Sequence, residues 1–173
     1  GIWDTANPGT SMLNIAPTVQ ETEDVVSGSA VRMQSVYKMK FAAGNIYVGK
    51  FNSVDFSSLG ATLLWGYEFD AMPSAMKGYY KYSPKNIDYA APAYESLRGK
   101  PDKCQIQIFL TDWTGMFRIN AYTDFSKSRY VDFNADYILA HGEMITDNNT
   151  TDDADTNNGY LQFTIPLKYR SLK

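Results

Sequence analysis

The chain has 173 residues, of which 44% are hydrophobic and 14% aromatic, and its formal net charge is -3. This apolar content is enough to bury a core, which excludes a disordered chain. Lysine and arginine form no basic stripe, so nucleic acid is a poor partner, and no apolar run approaches the roughly 20 residues of a membrane helix. A single cysteine, Cys104, excludes an internal disulfide or a cysteine-based metal cage.

The first 28 residues contain turn-forming residues and show no sustained hydrophobic period. Pro8, Pro17 and an acidic cluster predict a long surface loop over residues 3–28. From Ala30, apolar and polar residues alternate, which predicts a strand with one solvated face. Residues 41–51 predict the next strand, and the two glycines inside it indicate a bulge or a close backbone approach.

Six further strands are predicted where such runs are bounded by Gly, Pro, Asn and Asp, at residues 61–67, 74–82, 103–111, 116–121, 137–146 and 160–167. In the third of them, Ile106, Ile108 and Leu110 share one face, so this strand is expected to border the core. No window carries a helical apolar stripe longer than two turns. The sequence therefore predicts a single all-β domain over residues 1–173, a two-sheet antiparallel sandwich or jelly roll.

Several spaced motifs resemble one family. They are WDTANPG (residues 3–9), AAGNIYVGKF (42–51), PSAMKGYYKY (73–82), GKPDKC (99–104), DW (112–113) and IPLKYRSL (165–172). In this order they resemble the putative carbohydrate metabolism domain, a family of exported surface proteins of Gram-negative gut commensals. The resemblance implies a jelly roll similar in shape to galactose-binding-type carbohydrate modules.

The resemblance also implies a cell-surface lipoprotein of the outer membrane, held by a lipid anchor outside this chain and lying beside TonB-dependent nutrient transporters. A transporter or another surface lipoprotein is then a candidate partner alongside carbohydrate. The resemblance carries over no catalytic residues. Met72-Pro73 stands where the family often has Arg-Pro, so any role of that arginine is absent. Because the family usually has strands before Trp3 and after Leu172, we expect the domain to lack terminal strands at both ends.

Catalytic motifs are scarce in this sequence. There is no nucleophile elbow and no zinc-protease motif, and His141 is the only histidine. A glycosidase needs only two carboxyl groups about 5–9 Å apart, for which Glu68, Asp70 and Glu143 can be nominated. The first hypothesis is a non-catalytic glycan-binding module, the second is a structural or accessory subunit of a transporter complex, and a glycoside hydrolase is the third.

Residues for glycan binding are predicted from the chemistry of sugars. A sugar has an apolar C–H face and hydroxyl groups, so its site combines an exposed ring with hydrogen-bonding side chains. Trp113 follows a strand in a turn-like segment, with Asp112 beside it. Trp3 and Asn7 lie in a polar loop, where Trp3 could instead close the end of the sandwich. Tyr79 alternates away from the other two tyrosines of its strand, so at least one of the three rings faces outward.

The most polar loop of the chain spans residues 147–159. Within it, Asp153, Asp155 and Asn157 have the i, i+2, i+4 spacing of oxygen ligands for calcium. The match to a calcium loop then ends, because Gly159 falls at the seventh position and Thr164, at the twelfth, has no carboxylate. A calcium site and a solvated loop are the two alternatives, and no other cofactor is predicted.

Overall fold

The structure is a computed structural model, and it describes residues 1–38, 40–57, 60–122, 125–151 and 158–170. The structure is mostly β, with 44% strand and 9% helical content. The described helical turns are all of the short 3₁₀ type, which confirms the predicted predominance of β structure. The paired strands are antiparallel throughout the described sheets, and none of these sheets closes on itself.

Thirteen strands are described, numbered in chain order: β1 (Trp3–Asp4), β2 (Thr18–Glu21), β3 (Ala30–Met33), β4 (Val36–Lys38), β5 (Lys40–Ala42), β6 (Tyr47–Asp55), β7 (Gly60–Trp65), β8 (Ala75–Tyr80), β9 (Cys104–Thr111), β10 (Phe117–Ala121), β11 (Ile138–Thr146), β12 (Leu161–Pro166) and β13 (Lys168–Tyr169). The short 3₁₀ helices span Asn7–Gly9, Ser11–Leu13, Pro92–Leu97 and Phe125–Lys127. Contacts divide the chain into two compact units, Gly1–Ala71 with Trp113–Ala135 and Met72–Asp112 with Asp136–Lys173.

The first unit is built on a four-stranded sheet of order β1–β6–β7–β10. Two hairpins, β2–β3 and β4–β5, belong to the same unit. Leu63 lies directly opposite Ile119, so the two side chains share one face of the sheet, and they are 7% and 1% exposed. This buried face exists because the apolar residues of β7 and β10 recur with the period of two that a strand requires.

Gly49 provides the close backbone approach that the sequence predicted inside its strand. Its φ of 146° is one that L side chains rarely adopt, and a Cβ there would overlap the carbonyl oxygen of Leu64 on β7. The predicted irregularity is present as well, because the register with β7 shifts between Phe51 and Ser53. Gly49 is therefore required for β6 to lie against β7 in this register.

The second unit contains a three-stranded sheet of order β13–β11–β9 and the pair β12–β8. Its core includes Ile138, Ala140 and Ile165, which are 1%, 0% and 2% exposed. Gly142 on β11 lies close enough to β12 that an added Cβ would meet the Ile165 side chain at 2.8 Å. The absence of a side chain at Gly142 thus lets these two strands pack directly.

The six strands predicted from residue 61 onward are confirmed, with small shifts at their ends. The prediction of a continuous loop over residues 3–28 was wrong, because β1 and β2 lie within it. These strands have two and four residues, too few for a period of two to be recognised. The two predicted strands that follow are each divided, the first into β3 and β4 and the second into β5 and β6.

We expect Gly49→Ala to lower the free energy of unfolding by at least about 2 kcal/mol, because alanine is strained at this φ and its Cβ would displace Leu64. Gly115→Ala is the matched control, since no atom lies within 4 Å of a Cβ at that position and its φ is not in the strained range. Urea unfolding followed by circular dichroism measures both. Equal midpoints for the two variants would contradict the assigned role of Gly49.

Candidate functional site

Trp113, the first predicted ligand residue, is half-buried in the first unit. Its ring stacks on Phe117 with centroids 4.6 Å apart and planes inclined by 18°, and the Arg129 guanidinium lies 4.4 Å from the centre of the Phe117 ring. A Cβ on Gly66 would lie 3.5 Å from the Trp113 ring. The Phe117 ring and the backbone at Gly66 therefore cover part of the Trp113 ring. A role for Trp113 in ligand binding stays a prediction.

Asp112, predicted beside Trp113, is an exposed residue at the end of β9. Its backbone N–H donates a hydrogen bond to the carbonyl oxygen of Tyr137, at 3.2 Å. The contact extends the pairing of β9 with β11 by one residue, which fixes the backbone at Asp112. A role for its carboxylate in ligand binding stays a prediction.

Asn7 has a structural contact that the sequence did not reveal. Its Nδ2 donates a 2.5 Å hydrogen bond to the Thr18 carbonyl oxygen, and its Oδ1 accepts a 3.1 Å bond from the Thr18 N–H. This two-point contact holds the opening segment against β2. Asn7 also borders a shallow cleft of about 330 Å³, lined further by Pro8, Ser11, Asn14, Ile15 and Ala16.

Trp3 is the predicted residue whose ring is most clearly available in the first unit, with 53% of its surface exposed. It lies on the edge strand β1, directly opposite Val48 of β6. The adjacent Asp4 carboxylate accepts hydrogen bonds from the Phe51 N–H at 2.6 Å and from the Thr5 N–H at 2.7 Å. The exposed ring is therefore carried on a backbone segment that charge-assisted hydrogen bonds hold in place.

The Asp4 carboxylate also affects Tyr47, a buried side chain of β6. Burial raises the pKa of the Tyr47 phenol well above its usual value, and the nearby negative charge of Asp4 raises it further. The Tyr47 hydroxyl donates a hydrogen bond to the Thr5 carbonyl oxygen, at 3.3 Å. Tyr47 therefore remains protonated at neutral pH and provides a second attachment for the opening segment.

A row of side chains crosses the sheet next to Trp3. Leu64 of β7 lies opposite both Lys50 of β6 and Arg118 of β10, so the three share one face. Val48 is two residues from Lys50 along β6 and therefore points to the same side, as does Trp3 opposite it. We call this surface, formed by Trp3, Val48, Lys50, Leu64 and Arg118, the Trp3 face.

The two cations of the Trp3 face are both exposed. Within the described residues, neither Lys50 nor Arg118 has a side-chain hydrogen bond or an ion pair. Asp55 lies on the same face at the far end of β6, where its carboxylate accepts hydrogen bonds from the Ser57 N–H and hydroxyl at 2.9 and 2.7 Å. The Trp3 face is thus locally cationic on a chain of net charge -3.

In the second unit, Tyr79 is 54% exposed, whereas Tyr80 packs edge-on against Phe163 with ring centroids 6.4 Å apart. The predicted alternation of these rings is confirmed. Whether the Tyr79 ring contacts a ligand stays a prediction.

In the second unit, Glu143, one of the carboxylates nominated from the sequence, belongs to a polar cluster with two glutamines. The side-chain amides of Gln105 and Gln107 on β9 each donate a 2.5 Å hydrogen bond to Glu143 Oε1 on β11. Alternation in the Gln-Ile-Gln run already placed both amides on one face. The position of Glu143 opposite Gln107 depends on the strand register, which alternation alone does not give.

The predicted calcium ligands Asp153, Asp155 and Asn157 lie outside the described residues. Among the residues that the structure describes, no group of three or more His, Cys, Asp or Glu side chains could hold a metal ion. The same part of the chain contains no helix long and apolar enough to cross a membrane.

The described residues therefore form a predominantly antiparallel β protein with an exposed aromatic and cationic sheet face. The family model described as the putative carbohydrate metabolism domain matches residues 1–173, the whole chain, so the protein belongs to this family. The membership confirms the resemblance carried by the spaced motifs and associates the protein with carbohydrate. Neither the comparison with curated proteins nor that with solved structures gave a match.

We expect Tyr82→Phe to leave stability at pH 7 unchanged or raised, because the buried Tyr82 hydroxyl has no hydrogen-bond partner among the described residues. Burial raises the pKa of Tyr82 to about 12, and the charges of Asp102, Cys104 and Asp147 add to the effect.

An unfolded tyrosine has a pKa near 10, so the Tyr82 phenol leaves stability independent of pH below about pH 10 and lowers it as the pH rises from there towards the folded value. The fall of the urea midpoint from pH 9 to pH 12 should be shallower for Tyr82→Phe than for the parent. Tyr79→Phe, which alters an exposed ring, is the control. A midpoint lowered at pH 7 would show that the Tyr82 hydroxyl stabilises the fold.

Proposed function

We propose that this protein is a non-catalytic carbohydrate-binding module whose ligand lies on the Trp3 face. The observation that carries the proposal is the 53% exposed Trp3 ring on an edge strand fixed by the Asp4 carboxylate. An indole ring held in this way can contact the C–H face of a sugar without losing much conformational freedom on binding. Family membership supports a carbohydrate as the ligand.

The rest of the Trp3 face has the mixed chemistry that a sugar requires. Val48 and Leu64 extend the apolar surface beside Trp3, while Lys50 and Arg118 present hydrogen-bond donors. Donors of this kind can bind sugar hydroxyls or charged substituents. The proposal places the ligand across β1, β6, β7 and β10, and it requires no catalytic group.

The proposal extends to the setting of the protein. The spaced motifs support a jelly-roll arrangement of the strands and a lipoprotein on the outer membrane of a Gram-negative bacterium, where glycans are taken up. Calcium binding by the loop that contains Asp153, Asp155 and Asn157 is part of the same proposal. A binding role for Trp113 is proposed separately, because its stacking partner Phe117 precedes Arg118 on β10 and therefore points to the opposite face of the sheet.

A second candidate function, docking on an outer-membrane transporter, is favoured by the β4–β5 hairpin. Tyr37 and Phe41 lie opposite each other in this hairpin and are 51% and 61% exposed. Adjacent exposed aromatic rings are typical of protein interfaces. If this function is correct, Tyr37→Ser with Phe41→Ser should abolish co-purification with the transporter and leave polysaccharide binding unchanged. Retained co-purification would exclude the hairpin as the docking surface.

We expect Trp3→Ala to weaken polysaccharide binding by about 1–2 kcal/mol, or about 5- to 30-fold, with little change in stability. Affinity electrophoresis against soluble neutral and uronate-containing polysaccharides identifies a bound polymer, and calorimetry then measures the affinity. Phe56→Ala is the matched control, because this ring is 63% exposed and lies beyond the end of β6.

Unchanged binding by Trp3→Ala would contradict the proposed site. If Trp113→Ala instead abolished binding at an unaltered melting temperature, the ligand would lie at the Trp113 stack. A large loss of stability without a change in affinity would identify Trp113 as a packing residue.

A further inference from the structure

We infer that the Trp3 face selects an anionic glycan, one that carries uronate carboxylates, over a neutral glycan. The inference rests on the proposed function for the location of the site and adds the chemical class of the ligand. Its basis is the row formed by Lys50, Leu64 and Arg118 beside the exposed Trp3 ring.

The row places two positive charges on one side of the sheet with an apolar residue between them. Lys50 and Arg118 lie on strands separated by β7, so their backbones are about 10 Å apart at the usual strand spacing. Both side chains are long enough to reach a ligand lying over Leu64. A polymer with repeated carboxylates can therefore contact both cations with different sugar residues.

Trp3 is close to the Lys50 end of this row. The 2.6 Å hydrogen bond from the Phe51 N–H to the Asp4 carboxylate joins the residue after Lys50 to the residue after Trp3. This contact brings the exposed ring and the ammonium group to neighbouring positions on the surface. A uronate sugar has the matching pair of features, an apolar ring face and a carboxylate on the same residue.

The surroundings of the two cations, Lys50 and Arg118, also favour an anionic ligand. Lys50 and Arg118 have no ion pair or side-chain hydrogen bond within the described residues, so a carboxylate would displace only water from them. Arginine presents a planar pair of N–H donors that matches the two oxygens of a carboxylate. Asp55, the acidic residue at the far end of this face, is already bound by Ser57.

The small number of cations on the Trp3 face favours uronates over heavily sulfated glycans. Two cations can neutralise only a few ligand charges, and the chain as a whole carries a net charge of -3, which repels a dense polyanion. A polyuronate has one carboxylate for each sugar and therefore a lower charge density. We accordingly assign the Trp3 face to a uronate polymer.

The test compares polygalacturonate with the same polymer after full methyl esterification, which removes the charges and preserves the sugar backbone. Binding is measured with the whole chain by calorimetry in 50 mM and 500 mM NaCl, and alginate serves as a second polyuronate. We expect esterification or high salt to weaken binding at least about 10-fold. Lys50→Gln and Arg118→Gln should each weaken binding to polygalacturonate by about 3- to 10-fold.

Lys77→Gln is the matched control, because Lys77 is an exposed strand lysine of the second unit and lies outside the Trp3 face. It should bind polygalacturonate as the parent does. Circular dichroism of each variant verifies folding. Arg118→Lys keeps the charge and removes the planar pair of donors, so a partial recovery relative to Arg118→Gln would support contact with a carboxylate.

The outcomes separate this inference from the proposed function. Equal binding of the charged and esterified polymers, weakened for both by Trp3→Ala, would overturn the anionic assignment and leave the proposed function intact. Tighter binding of dextran sulfate through Lys50 and Arg118 would overturn the choice of uronate. Absence of binding to both polygalacturonate and alginate would also overturn it. Polysaccharide binding that Trp3→Ala leaves unchanged would contradict the proposed function and the inference together.

Discussion

The Trp3 face rests on the hydrogen bond from the Phe51 N–H to the Asp4 carboxylate, at 2.6 Å, which acts together with the bond from the Tyr47 hydroxyl to the Thr5 carbonyl oxygen. A two-residue edge strand has few backbone bonds of its own, and such ends open easily. A hydrogen bond to a charged group contributes about 1.5–3 kcal/mol, which is comparable to the binding energy expected from a single aromatic platform. The hydrogen bond between Asp4 and Phe51 also places Trp3 beside Lys50. The same contact therefore holds the edge strand in place and brings together two residues of the candidate site.

One face of the four-stranded sheet is buried and the other carries the candidate site, because side chains alternate along each strand. One face carries Leu63 and Ile119, which are almost fully buried. The opposite face carries Leu64 and Arg118, the immediate chain neighbours of residues on the buried face. Burial of the first set fixes the strand register, and the register then determines which side chains meet on the exposed surface. Stability of the core and geometry of the candidate site are thereby linked through the same hydrogen-bond ladders.

Much of the strand order along the chain followed from the sequence, since strands such as β9 alternate over eight residues between clear turn signals. Strands β1 and β2 were not predicted, because two to four residues are too few to show the alternation of apolar and polar side chains. The candidate rings were harder to rank, because stacking of Trp113 on Phe117 and exposure of Trp3 depend on tertiary contacts. The cationic row was likewise invisible, since it is created by cross-strand register between residues that are far apart in sequence.

The division into two units has a consequence for biogenesis. Each unit combines two separate stretches of chain, so the polypeptide passes from one unit to the other after residues 71, 112 and 135. A nascent chain that ends at residue 112 contains neither β10 nor β11 and therefore completes neither main sheet. The first unit can complete its sheet only when residues beyond 112 have left the ribosome. Vectorial synthesis thus leaves early strands such as β7 and β9 without their later partners β10 and β11 for a time, which makes folding of this protein a late event in its production.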